Sequence, residues 1–266
     1  MMLWWQLAAI IGGLSTGLLG VYVVGLRMPF LGVGIAHSAM AGGVLAAVAG
    51  WPMLPVAVAM SLASGGALAW HASARPRADL GISTGILLSL MMGLAFLGMG
   101  MHRGDMTPLL SLLWGSLLFV RPVDVMLMAV LGVVLVAFVA RWHRSLDALI
   151  FSRPLARAAG VRVSALTTAF LLLASLIVAI NLNIVGGLMI YSLLANPAAA
   201  AYEVGGSMRA VRVLSCVFGL ISTLGGFWIA YLADLPVGAC IVIVSTVVYG
   251  VALVVARQRE VGRGVS

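Results

Sequence analysis

The sequence predicts an all-α integral membrane protein. It reads as one polytopic domain, 1–266, with about nine transmembrane helices, or eight if one broken segment fails to cross. A short re-entrant segment and one amphipathic helix on the cytoplasmic face complete it. Three observations predict this class. The chain of 266 residues is 63% hydrophobic and 8% charged, against roughly 25% charged residues in a soluble domain. Its mean hydropathy is +1.19. Its charges gather in short gaps between apolar runs. Too little charge remains to cover a water-facing surface, which excludes a soluble enzyme, a disordered tail and a disulfide scaffold.

A span needs about 20 apolar residues, because about 30 Å of hydrocarbon is crossed at about 1.5 Å per residue. Residues 3–26 carry no charge and lack the basic start of a secretory signal, so they read as the first span. Further spans are expected at 28–50, 52–70, 80–101, 125–140, 163–180, 184–202, 213–233 and 235–256. Residues 106–120 differ. As a helix they would reach only about 22 Å, and Pro108 and Arg121-Pro122 flank them as breakers. A re-entrant or interfacial segment is expected there.

All fifteen basic residues are arginine. With nine spans and the N-terminus outside, thirteen of them fall in cytoplasmic loops, leaving only Arg103 and Arg121 on the other side. Such asymmetry sets orientation in a membrane. It places the C-terminus in the cytoplasm and accounts for the formal +8 without a nucleic-acid surface. Cys216 and Cys240 lie in apolar runs and read as packing residues. The 32 glycines fall largely in small-residue patterns, which allow helices to approach closely or a span to unwind beside a substrate path.

The longest cytoplasmic stretch, 141–162, holds five arginines. Within 145–160, Leu146, Leu149, Ile150, Leu155 and Ala159 recur at helical spacing, and Gly160 reads as a stop. The pattern fits a helix lying on anionic headgroups, or one that docks a cytoplasmic partner.

Three stretches give the chain a resemblance to a known family. The first is VGGLMIYSLLANPAAAA at 185–201, with Val185, Gly186, Leu193, Leu194, Pro197, Ala198, Ala199 and Ala201 in the family's order. The second, at 27–52, matches Gly32 and His37 of a Gly-Asp-x-x-x-His core. The third, on the cytoplasmic stretch, matches Ser152, Leu155, Ala156 and Gly160 of a coupling helix. Weaker agreement follows at Trp114-Gly115-Ser116 and at Asp234-Leu235-Pro236-x-Gly238. In these features the chain resembles the permease subunit of bacterial ABC importers for zinc, manganese or iron ions.

The resemblance implies a second permease copy and cytoplasmic ABC ATPase subunits docked on the coupling helix. It also implies an extracytoplasmic metal-binding protein and a place in the bacterial inner membrane. The divalent ion would be substrate; no cofactor is expected on this chain, and ATP would belong to the partner. Two departures stand out: the family's aspartate falls at Val33, and the acid of its coupling helix falls at Pro154.

His37 is the only histidine well inside an expected span. An ionisable group at that depth points to function or pairing, and neutral imidazole is a common transition-metal ligand. His71, His102 and His143 fall at span ends. Asn181, Asn183, Tyr191 and Asn196 offer neutral oxygens that line the path or bond helix to helix. The acids Asp79, Asp105, Asp124, Glu203 and Asp234 lie at or near span ends, which argues against a proton- or sodium-driven carrier. A phosphate-cradling loop needs its lysine, and the chain has none, so ATP hydrolysis of that type belongs elsewhere. Ser38 adjoins His37 but points to another helix face, which excludes a serine nucleophile there. The missing aspartate keeps an alternative open, an ABC permease for a metal chelate or vitamin. A passive channel is a third reading.

Overall fold

The computed structural model describes residues 2–28, 30–74, 80–115, 121–187 and 190–264. Side chains at 80, 111, 114, 183–185 and 260–264 lie outside the description. The secondary structure of the described residues is helical: α1 Met2–Gly25, α2 Leu31–Ala49, α3 Met53–Ala74, α4 Leu80–Met101, α5 Thr107–Trp114, α6 Pro122–Phe151, α7 Arg153–Ala158, α8 Val163–Val185, α9 Ile190–Val204, α10 Met208–Ala233 and α11 Val237–Gly264. Helices satisfy every backbone polar group internally, which a lipid-facing chain requires.

Eight of these are long and apolar enough to cross a membrane among the described residues, the lower of the two expected counts. The expected span at 184–202 accounts for the difference. Its first part closes α8, the chain breaks at Gly186-Gly187, and only the 15 residues of α9 return. At about 1.5 Å per residue α9 covers about 22 Å. Yet it does return: Arg259 of α11 donates to the Val204 carbonyl at its far end, at 3.2 Å. The seventh expected span is therefore a break plus a short helix.

Small residues seat α1 against α10. A Cβ on Gly17 would stand 2.5 Å from the Ser215 carbonyl oxygen, and the Ser215 hydroxyl donates to the Gly17 carbonyl at 2.6 Å. Gly13 and Gly219 touch in the same seam. The order 13 to 17 against 219 to 215 makes the two helices antiparallel. This puts Gly25 and the start of α10 at one end, with Arg212, Arg209 and the close of α6. Without a hydrophobic drive between helices in lipid, such close packing carries association. Tyr22 meets Phe170 of α8 edge-on, ring centroids 6.1 Å apart.

Two expected elements are redrawn. The span at 125–140 continues as one helix to Phe151. The amphipathic helix at 145–160 is therefore split: its first half is the end of α6, its second half is α7. Ser152 makes the cut, extended at φ −164°, ψ 120°, because Pro154 cannot continue an α-helix hydrogen-bond ladder. Leu146 and Leu149 are buried as their spacing predicts. The short segment at 106–120 yields α5; residues 116–120, including Ser116, lie outside the described ones. The Thr107 amide and hydroxyl both donate to Asp105 Oδ1, at 2.9 and 2.7 Å, which caps α5. These two bonds hold the Asp105 carboxyl below its ordinary pKa.

Candidate functional site

α2 presents His37 inside the bundle, 2% exposed. Its Nδ1 lies 2.9 Å from the Val33 carbonyl one turn back. Its Nε2 is buried without a partner, one of two such side-chain atoms among the described residues; the other is Asn181 Oδ1. An unpaired nitrogen at this depth is costly and is usually kept for a ligand or partner. The bond to Val33 makes Nδ1 the protonated nitrogen of the neutral ring, so Nε2 carries the free lone pair.

Two contacts place His37 beside the broken pass. Below it in sequence, a Cβ on Gly32 would run into the Leu194 side chain of α9. Above it, Met40 sulfur would stand 3.7 Å from a Cβ on Gly187. His37 lies on α2 between these touches, level with the interruption between α8 and α9. Gly186 takes φ 85°, ψ 150° there, open to glycine and strained for other residues. The Gly187 amide donates to the Leu112 carbonyl of α5 at 2.8 Å.

The α9 motif is a packing surface. Leu193, Leu194, Pro197 and Ala198 are buried, and Ala199 is half-buried. A Cβ on Gly20 of α1 would meet the Leu194 carbonyl oxygen. Asn196 does not join His37: its Nδ2 donates to Ser245 and Thr246 of α11, both at 3.1 Å. Tyr191 is 36% exposed. Asn183 sits on α8 with its side chain outside the described residues. Asn181 is 2% exposed, and its Nδ2 donates to the Ile177 carbonyl at 2.8 Å.

Above this level, toward the end remote from the arginine-rich loops, lies a cavity of about 530 Å³. Gly43, Met53, Ala57, Leu112, Asp124 and Leu182 are among its walls. Asp124 is at the start of α6 as expected, but it is buried, 5% exposed. Its carboxylate accepts from the Arg121 amide at 3.0 Å and from Arg121 Nε at 3.2 Å. This pair raises the Arg121 pKa above its ordinary value.

At the arginine-rich end, Ser152 caps α7, its Oγ accepting from the Leu155 amide at 3.4 Å. Ala156 is fully buried, while Leu155 is 56% and Phe151 82% exposed. The inward residue of this short helix is thus Ala156, and Leu155 of the expected apolar stripe faces out. Gly160, at φ 80°, ends the segment. Sequence reasoning missed a polar cluster behind it. Arg212 donates to both oxygens of Asp147, at 2.8 and 2.9 Å, and to the Tyr22 hydroxyl at 3.5 Å. The Tyr202 hydroxyl donates to the Val21 carbonyl at 2.9 Å. Asp147 is an acid among arginines in its stretch, which was the one available signal; its partner is 65 residues away.

The profile of the ABC 3 transport family matches residues 1–256. The manganese transport system membrane protein MntC of Listeria monocytogenes is 24% identical over 248 residues, covering 93% of this chain and 88% of that protein. The high-affinity zinc uptake system membrane protein ZnuB of Haemophilus influenzae is 25% identical over 247 residues, covering 93% and 94%. Among solved structures, PsaBC from Streptococcus pneumoniae in complex with Fab shares the fold, with a TM-score of 0.81 at 22% identity. The match covers 93% of this chain and 89% of that one.

Proposed function

The chain belongs to the ABC 3 transport family, and from that membership we propose that it is the membrane-spanning permease subunit of an ATP-binding cassette importer for divalent metal ions. The family match over residues 1–256 carries this reading. The relatives named for manganese and zinc transport support the substrate class.

In this reading the arginine-rich end is cytoplasmic, the C-terminus lies there, and the membrane is the bacterial inner membrane. Two permease copies form the pathway. A metal-loaded binding protein delivers the ion at the opposite end, into the cavity beside Asp124. The ion then descends past Met40 to His37, where the free Nε2 lone pair gives it a transient contact. Asn181 supplies a neutral oxygen from α8. A site this sparse in charge releases its ion readily, which suits a pathway whose capture is done by another protein.

ATP is hydrolysed by cytoplasmic subunits docked on α7, through Ser152, the exposed Leu155 and the turn at Gly160, with Ala156 anchoring α7 to the bundle. The chain brings no lysine and so no phosphate-cradling loop of the lysine type. The test is a reconstituted complex in liposomes. Metal uptake and ATP hydrolysis should both rise when loaded binding protein is added. Uptake that persists without ATP would point instead to a passive channel. ATP-driven uptake of a chelate or vitamin but not of free metal would select the alternative left open by Val33.

A further inference from the structure

A second polar recess lies away from the transport path, at the arginine-rich end. It is a cleft of about 370 Å³ between the end of α3, the short α7 and the start of α8. Arg153, Arg157, Ser73, Ser164 and Thr167 line it. Neither arginine has a carboxylate partner: the ion pairs among the described residues are Arg121–Asp124 and Arg212–Asp147. Arg153 is half-buried. Its pKa is pushed below the ordinary value, by burial and then by the neighbouring charge of Arg157. Two like charges are thus held together at a recess with no counter-charge among the described residues.

The other groups sharpen what is missing. Ser73 donates to the Ala69 carbonyl at 2.9 Å and takes its other contact from Ser164 at 2.5 Å, so those hydroxyls are engaged. Thr167 is different. It is 5% exposed and lines the cleft, and its hydroxyl has no hydrogen-bond partner among the described residues. Among the described residues, paired guanidinium forks plus a free hydroxyl are donors without an acceptor. A tetrahedral phosphate oxyanion supplies that acceptor.

Position selects the source of the phosphate. α3 and α8 are both long and apolar enough to cross the membrane, and the cleft lies at their arginine-rich ends. Trp70, one turn before Ser73, is 73% exposed, as an indole at headgroup level is. Basic recesses between spanning helices at this depth bind anionic headgroups. We propose that the cleft of Arg153, Arg157 and Thr167 is a binding site for the phosphate of an anionic phospholipid, which bridges α7 to α3 and α8.

The test uses the full chain, purified in a neutral maltoside detergent, with lipid retention read by native mass spectrometry. Phosphatidylglycerol or cardiolipin should be retained about tenfold over phosphatidylcholine. R153Q/R157Q should lose that preference, and R153K/R157K should keep part of it, since charge survives but the planar fork does not. T167V should weaken retention without altering charge, and stands as the readout if the double variant fails to fold. Retention unchanged in both R153Q/R157Q and T167V overturns the proposal. Displacement of the lipid by inorganic phosphate alone overturns the lipid source. If R153Q/R157Q instead loses a co-purifying cytoplasmic subunit while its lipid preference stands, the cleft is a protein-docking site and the proposal fails.

Discussion

Arg212 of α10 grips Asp147 of α6 through both carboxylate oxygens, at 2.8 and 2.9 Å, and reaches the Tyr22 hydroxyl of α1 at 3.5 Å. The side chains are only 16% and 25% exposed, so the pair is shielded from much of the screening that weakens surface pairs. D147N should destabilise the protein by about 2 kcal/mol, the loss of charge-assisted hydrogen bonds in a partly dry site. Thermal unfolding in detergent measures it. Because α6 leads directly into α7, D147N should also lower the metal transported per ATP hydrolysed.

H37A should cut metal uptake by about tenfold, the effect of losing a contact worth about 1.4 kcal/mol. The fold should survive, since the only bond removed is the local one to the Val33 carbonyl at 2.9 Å. Uptake of radioactive zinc and manganese into proteoliposomes decides it; unchanged rates would remove His37 from the path.

Val33 stands one turn before His37 on α2, where a carboxylate would share its face. V33D should shift preference toward manganese, a harder ion that favours carboxylate over imidazole. It should also slow release, because an anionic ligand holds a divalent ion longer than a neutral one. Competition uptake, manganese against zinc, reads the first effect, and single-turnover efflux the second.

Leu155 and Ala156 should behave in opposite ways. L155D changes an exposed side chain, so stability should move by about 0.5 kcal/mol or less, while co-purification of the ATPase subunit is lost. A156L forces three heavy atoms into a fully buried place and should cost about 1–3 kcal/mol through overpacking. Pull-down and melting temperature together separate the two.

G17L should prevent α1 from seating on α10. Even a Cβ there would stand 2.5 Å from the Ser215 carbonyl oxygen, and backbone cannot step aside as a side chain can. The expected result is loss of monodisperse protein on size exclusion, whereas G66A, with nothing within 4 Å, should leave it intact.

The spans were legible because hydrocarbon imposes one length and one composition; α4, Leu80–Met101, coincides with its expected bounds. The break in the seventh expected span was harder to see. Residues 184–202 carry no charge and are mostly apolar, and hydropathy does not register a backbone turn such as Gly186 makes. The split at Ser152 hid for a related reason, since Leu146, Leu149 and Leu155 keep helical spacing across it. At the site, His37 stood out by its depth. The Asn196 bonds to Ser245 and Thr246 span 49 and 50 residues. The pairing of Arg212 with Asp147 spans 65. Nothing in local spacing signals contacts at such range.

The hydrogen bond from the Gly187 amide to the Leu112 carbonyl, at 2.8 Å, ties α5 to the break that precedes α9. α5 packs through the buried Leu109, Leu112 and Leu113 at the end remote from the arginine-rich loops, and the Gly186-Gly187 interruption lies against Met40 of α2. The tie joins α5 to the backbone break beside Met40, so neither of these short segments is packed independently of the other.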